Sequence, residues 1–206
     1  MTFPDKKYNS IKSFCDDYIS QLAAAAASID REKLTAAATV IDDCFNRGNW
    51  VYTCGNGGSA AIANHLLCDY AKCIQTDTSV KPRVISLSAN LEMITAIAND
   101  IEYEECFAYQ LKTTAKTNDV LITISASGDS ENIVRPVEWA SKNSMHTISL
   151  TGFDGGRSAR ISDINLHVNA DNYGVIEDTH QSIMHILAQY LRLIHMNKNL
   201  IHERNF

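Results

Sequence analysis

Five short runs rich in β-branched residues recur along the chain: WVYTC (50–54), RVISLS (83–88), DVLITIS (119–125), HTISLT (146–151) and DINLHV (163–168). Each is too short for a helix, and helical stretches lie between the earlier ones. Strands joined through helical crossovers run parallel, because a long connection is needed to return the chain to the same end of the sheet. The pattern predicts an α/β fold: a five-stranded parallel sheet with helices on both faces, an α/β/α sandwich. Ligands of such sheets bind beyond the carboxyl ends of the strands. The residues that follow each run are therefore the informative ones.

Two helices are expected ahead of the sheet. Ile11, Phe14, Cys15, Tyr18, Ile19 and Leu22 have helical spacing and lead into an alanine run, so a helix fits residues 8–28. Asp30 is placed to cap a second helix running to about Asn46, which Gly48 closes. No loop-rich linker separates these helices (about 8–47) from the sheet-containing core (about 49–206), so residues 1–206 read as one domain. The pair has the look of a packing or oligomerisation element. A last amphipathic helix is expected from near Ile176, carrying Ile183, Leu187, Tyr190, Leu191 and Ile194.

A chain of 206 residues is long enough to bury a sizeable core. Its formal charge is −6 and it has no Lys/Arg cluster, which argues against a nucleic-acid partner. No apolar run approaches the roughly 18 residues of a membrane span, and MTFPDKKYNS has no signal-peptide core; a cytoplasmic protein without a membrane partner is expected. The six cysteines form no CxxC pair and read as reduced, small hydrophobic residues.

Two turns follow strands. The first, GNGGSA (55–60), matches the dinucleotide pattern through Gly55, Gly57 and Ala60. That pattern also requires an acid near the end of the next strand, and there the chain reads Ser86-Leu87-Ser88-Ala89. A G-K-[ST] phosphate loop is missing too. The second turn, SASGDS (125–130), again joins a strand to a helix. Two helix starts with hydroxyls and bare N–H groups suit a single phosphate, needing no lysine. The bland alternative is that Ser, Gly and Asp merely cap the helices.

His65 and Asp69 are four apart and share a helical face. They can ligate a metal together, the acid can orient the imidazole, or they form a plain surface pair. The last helix opens IEDTHQSIMH (176–185) and adds Glu177, His180 and His185 among apolar neighbours. Two phosphate-type turns with this set of acids and histidines favour chemistry over capping.

The order and spacing of these motifs resemble the sugar-isomerase (SIS) family. The resemblance runs through the two leading helices, GNGGSA, the Asn99-Asp100 pair, SASGDS, LTGFDGG (150–156) and the final His-x₄-His helix. Within the family the chain is most similar to the phosphoheptose isomerases, which interconvert sedoheptulose 7-phosphate and a heptose 7-phosphate at the head of heptose nucleotide synthesis for surface polysaccharide.

The resemblance implies a set of roles. Asn56, Gly57, Gly58 and Ser59 would form the first substrate turn, Asn99 and Asp100 would contact the sugar, and Ser125, Ala126, Ser127 and Ser130 would hold the phosphate. His65 and His185 match metal-binding histidines. Three positions depart from the family pattern: Asp69 stands for a usual Glu, Glu177 for a usual Gln, and Ala126 for a common Thr. Ala126 offers only its backbone.

Ketose–aldose isomerisation moves a proton between C1 and C2 and needs a base and an acid partner. Asp69 is assigned as base, with Glu177 as understudy and substrate contact, and His185 as acid partner. One zinc ion per site is expected on His65, Asp69, Glu177 and His185. Other relatives are non-catalytic, regulating replication initiation or sensing sugar phosphates.

Glu177 and His185 lie eight residues apart, about 12 Å along a continuous helix. Either the helix starts after Glu177 or a partner chain joins the two. Together with the resemblance, this points to a homotetramer with active sites at subunit interfaces, Asp69 and His185 then coming from different chains.

Overall fold

The computed structural model describes residues 3–206. Helices α1 (Ile11–Ala27) and α2 (Arg31–Asn46) lead. The core then runs β1 (Trp50–Gly55), α3 (Gly58–Cys68), β2 (Arg83–Ser86), α4 (Leu91–Asp100), α5 (Ala108–Thr114) and β3 (Val120–Ile124). It continues through α6 (Glu131–Lys142), β4 (His146–Thr151), α7 (Gly156–Ile161), β5 (Ile164–His167) and α8 (Tyr173–His195). A wide π turn, Asp69–Ile74, extends α3.

All five strands are parallel, in the order β2-β1-β3-β4-β5. The chain leaves β1 toward β2 and then crosses back to β3 on the other side. The carboxyl ends of β1 and β3 therefore border the point where winding reverses, the usual ligand crevice of such sheets. Both serine- and glycine-rich turns open there.

The alternation of side chains along the strands divides the core. Val51, Val120, Ile122, Ile124, Ile148 and Leu150 face one layer, with α2, α3 and α8 packed on them. Tyr52, Cys54 and Leu121 face the other, against Ile97, Phe107, Leu111, Ile133 and Val137 of the helices that follow β2 and β3. Each fully buried large aliphatic side chain contributes about 1.5–3 kcal/mol. The six cysteines are all free thiols.

Several boundaries differ from expectation, β3 and α1 being shorter by a few residues. β2 stops at Ser86, because Ser88 Oγ turns back to bond both Gly55 N (3.0 Å) and Gly55 O (2.8 Å). β5 is the shorter Ile164–His167. α8 begins three residues earlier than Ile176, where the Asn172 side chain accepts from Val175 N at 3.0 Å.

Candidate active site

α8 has two distinct faces. Ile176, His180, Ile183, Met184 and Leu187 are buried against the sheet. Tyr173, Glu177, Gln181 and His185 recur every fourth residue and form a partly open row beside α3. α3 and α8 pack together, so this row runs alongside α3, and the strip between the two helices is termed the trough.

At one end is a pocket of about 140 Å³. Asn56 and Ser59 line it from the β1 turn, Ser125, Ala126, Ser127 and Ser130 from the β3 turn, and Tyr173 and Glu177 from α8. Ser125 Oγ accepts from Gly128 N at 3.1 Å and Ser127 Oγ from Asp129 N at 3.4 Å, shaping the second turn. Asn56 and buried Asn132 exchange amide hydrogen bonds of 2.9 and 2.8 Å, tying the two turns together. Tyr103 donates to Asn56 Oδ1 at 3.1 Å.

The helix starts divide by how they are capped, and α5 and α7, away from this pocket, also lack a side-chain cap bond. Ser10, Asp30, Asn90 and Asn172 cap α1, α2, α4 and α8 with their side chains. Gly57 and Ser130, which open α3 and α6, make no side-chain cap bond. Gly57 and Ser130 therefore leave the first N–H groups of α3 and α6 without a side-chain partner. Two uncapped helix starts present partial positive charge to one small pocket, an arrangement that suits an anion.

The second turn is buttressed from behind by Gly152–Arg157. Gly156 has φ +57°, and a Cβ there would stand 2.6 Å from the Gly128 carbonyl carbon. Arg157 Nε donates to Asp129 Oδ1 at 2.6 Å and its Nη2 to Asp129 O at 2.8 Å. LTGFDGG therefore supports the turn and does not line the pocket.

At the other end of the trough His65, Asp69 and His185 converge, each offering a donor atom within 4.8 Å of the others. His65 Nε2 lies 3.4 Å from Asp69 Oδ1, and His185 Nε2 lies 3.5 Å from Asp69 Oδ2. The two rings meet edge to face, with centroids 5.0 Å apart. Tetrahedral zinc with bonds of about 2.1 Å separates its donors by about 3.4 Å. Two imidazoles and a carboxylate could hold such a cation once their donors, within 4.8 Å of one another, draw together.

Two expectations are corrected here. Glu177 lies outside the cluster: α8 runs unbroken from Tyr173, which puts Glu177 two turns before His185. Its carboxyl lies instead against Gly58, where a Cβ would stand 2.7 Å from the Glu177 carboxyl carbon and would require that carboxyl to swing aside. Burial first, then the charge of Asp178, holds the Glu177 carboxyl above the usual carboxylate range. The second correction is that Asp69 and His185 meet within one chain, so this pair needs no partner subunit.

Asn99 and Asp100 end α4 as an exposed pair bonded to each other at 2.8 Å and do not line the pocket. Gly57 and Gly58 contribute backbone at the first turn. Tyr173 and Gln181 were missed from sequence, although their four-residue spacing with Glu177 and His185 was available. His180 faces the core: its Nε2 donates to Thr151 O at 3.2 Å, and burial pushes its pKa down to about 4. It belongs to the packing.

Comparison with known proteins adds to this geometry. The SIS domain model matches residues 14–152. A probable phosphoheptose isomerase of Thermoplasma acidophilum is 34% identical over 172 residues, 83% of this chain and 93% of its own. Among solved structures, the phosphoheptose isomerase of Neisseria gonorrhoeae superposes with a TM-score of 0.81 at 28% identity, over 88% of this chain and 98% of that one. The phosphoheptose isomerase of Francisella tularensis gives 0.80 at 31% identity, over 94% and 100%.

Proposed function

This chain belongs to the SIS domain family, and from that premise we propose that it is a phosphoheptose isomerase interconverting sedoheptulose 7-phosphate and D-glycero-D-manno-heptose 7-phosphate. The observation that carries this reading is the trough, with an anion pocket at one end and an acid–histidine cluster at the other. Ser59 and His65 are six residues apart on α3, about 9 Å, and Glu177 and His185 eight apart on α8, about 12 Å. With single bonds of about 1.5 Å, an extended sugar spans about 7–8 Å from C1 to C7, and its phosphorus lies beyond. A seven-carbon phosphosugar thus fits the distance from pocket to cluster.

In this reading Ser125, Ser127 and Ser130 donate hydroxyls to the phosphate, and the starts of α3 and α6 supply backbone N–H groups. Asn56 and Glu177 face the sugar between the two ends. Asp69 moves the proton between C1 and C2, and His185 transfers a proton at the carbonyl oxygen. The two Asp69 oxygens face different imidazoles, so one must leave its imidazole to take the proton while the other keeps its partner. His65, Asp69 and His185 could hold zinc, which would then stabilise negative charge on the sugar oxygens in place of the His185 proton.

We assign the protein to the cytoplasm; no described helix is long and apolar enough to cross a membrane. A homotetramer is the proposed assembly, supported by apolar side chains outside the sheet. Ile11 and Ile19 on α1, and Ile186, Tyr190 and Ile194 on α8, are exposed. Light scattering checks this: a monomer active at high dilution refutes it.

The activity is tested by NMR of the protein with sedoheptulose 7-phosphate in D₂O. Deuterium entering at C1, or an aldose product, supports the isomerase. Binding of the sugar phosphate with neither outcome would instead identify a sensor or regulatory module.

A further inference from the structure

At the cluster end of the trough, Gln181 touches both histidines. Its Nε2 lies 2.9 Å from His65 Nδ1 and 3.1 Å from His185 Nε2. His65 is thus addressed on both ring nitrogens: Nε2 faces Asp69 Oδ1 at 3.4 Å, and Nδ1 faces Gln181. A neutral imidazole carries one proton, and the group beside Nδ1 determines which nitrogen keeps it. An amide N–H pointed at Nδ1 leaves the proton on Nε2, where it blocks a cation. The amide turned by 180° fills the same space and offers an oxygen, which then also stands 3.1 Å from His185 Nε2, two electron-rich atoms that a cation between them would reconcile. That oxygen accepts from Nδ1–H and leaves Nε2 bare, in the group of three donors described above. A partner on the remote nitrogen is what metal-binding histidines ordinarily require.

We propose that Gln181 is a positioning residue of this centre: its carboxamide oxygen accepts the Nδ1 proton of His65 and so leaves Nε2 free to hold the cation. Glu177, two turns away against Gly58, has no part in this. The proposal rests on the reading of His65, Asp69 and His185 as a metal centre and is independent of which sugar the protein isomerises.

The test compares zinc affinity, by competition with a chromogenic chelator, in the full-length protein and its Gln181→Leu and Gln181→Glu variants. Gln181→Leu keeps the volume but offers no acceptor, and affinity should fall about 10–100-fold. The metal-free melting temperature should not change. Gln181→Glu offers only acceptor oxygens and should stay within a few-fold of the parent. Side-chain ¹⁵N NMR should show the His65 proton on Nδ1 in the parent and Gln181→Glu, and on Nε2 or on both in Gln181→Leu. Parent-like zinc affinity in Gln181→Leu overturns the proposal, as does equal weakening in both variants or a parent that binds no zinc. Zinc binding that depends on Gln181, in a protein that exchanges no deuterium into sedoheptulose 7-phosphate, refutes the isomerase and supports the proposal.

Discussion

His180 and His185 stand five residues apart on α8, and the two faces of that helix put them in opposite environments. His180 is fully buried, its Nε2 bonded to the Thr151 carbonyl and its Nδ1 without a partner. His185 is partly exposed in the trough, within reach of Asp69 and Gln181. Burial penalises charge, so the inner histidine stays neutral and serves packing. Contact with solvent, an acid and an amide lets the outer one exchange protons or hold a cation. Residue type is therefore a poor guide to role on an amphipathic helix; the face decides.

The largest effect that should separate the two faces is His185→Ala. Loss of a general acid–base group lowers turnover by about 10²–10⁴-fold. Thermal unfolding should barely move, because the side chain is not part of the core. A comparable loss of stability would show that the two faces are not independent.

His180→Ala should do the reverse. It empties a packed site and removes one of the two donors to the Thr151 carbonyl, which keeps Val168 N, at a cost of roughly 2–4 kcal/mol in urea unfolding. Activity per folded molecule should persist. The parent carries a matching pH signature. Its folded His180 pKa is about 4, against 6.5 for an ordinary histidine, so the unfolded chain binds more protons between those values. The stability contributed by neutral His180 is complete above pH 6.5 and is lost as pH falls toward 4. A leucine at 180 should flatten that decline, and an unchanged slope would contradict the buried neutral state.

The serines of the pocket come next. Ser127→Ala and Ser130→Ala should each weaken phosphosugar binding by about 0.5–1.5 kcal/mol, read as a rise in KM or Kd, without lowering the melting temperature. Asp30→Ala, which removes a true cap from α2, should cost about 1 kcal/mol of stability and leave binding alone. Equal behaviour of the two sets would erase the difference between capped and uncapped helix starts.

The smallest effect expected is that of Glu177→Gln on stability. Burial holds the folded carboxyl above its ordinary pKa of 4.5, so ionising it opposes folding. The variant should be slightly more stable than the parent at neutral pH. The two should converge below the ordinary carboxylate range, where Glu177 is protonated in both states.

Much of this could be read in advance because it is local. Strand runs, helix periodicity and the Asp30 cap are properties of neighbouring residues, and the sheet and helices appeared where those signals stood. GNGGSA and SASGDS likewise declared themselves as strand-to-helix turns. One boundary shifted where a distant partner intervened, when Ser88 reached back to Gly55 and ended β2. The His65–Asp69 pair was visible as an i, i+4 spacing, but Gln181 was not, since an amide on a helix carries no motif.

The amino-acid sequence by itself thus determined the fold class, the two turns and the identity of the titratable groups, because periodicity and turn chemistry act over a few residues. Tertiary structure alone decided the order β2-β1-β3-β4-β5, which brings the two turns to one crevice. It also decided which side chains share a site. Gln181 meets His65 across 116 residues of sequence because burying the apolar face of α8 turns its opposite row toward α3. The same straight helix carries Glu177 away from His185 to the pocket between the two turns, since a residue two turns along a rigid rod cannot close a gap of about 12 Å.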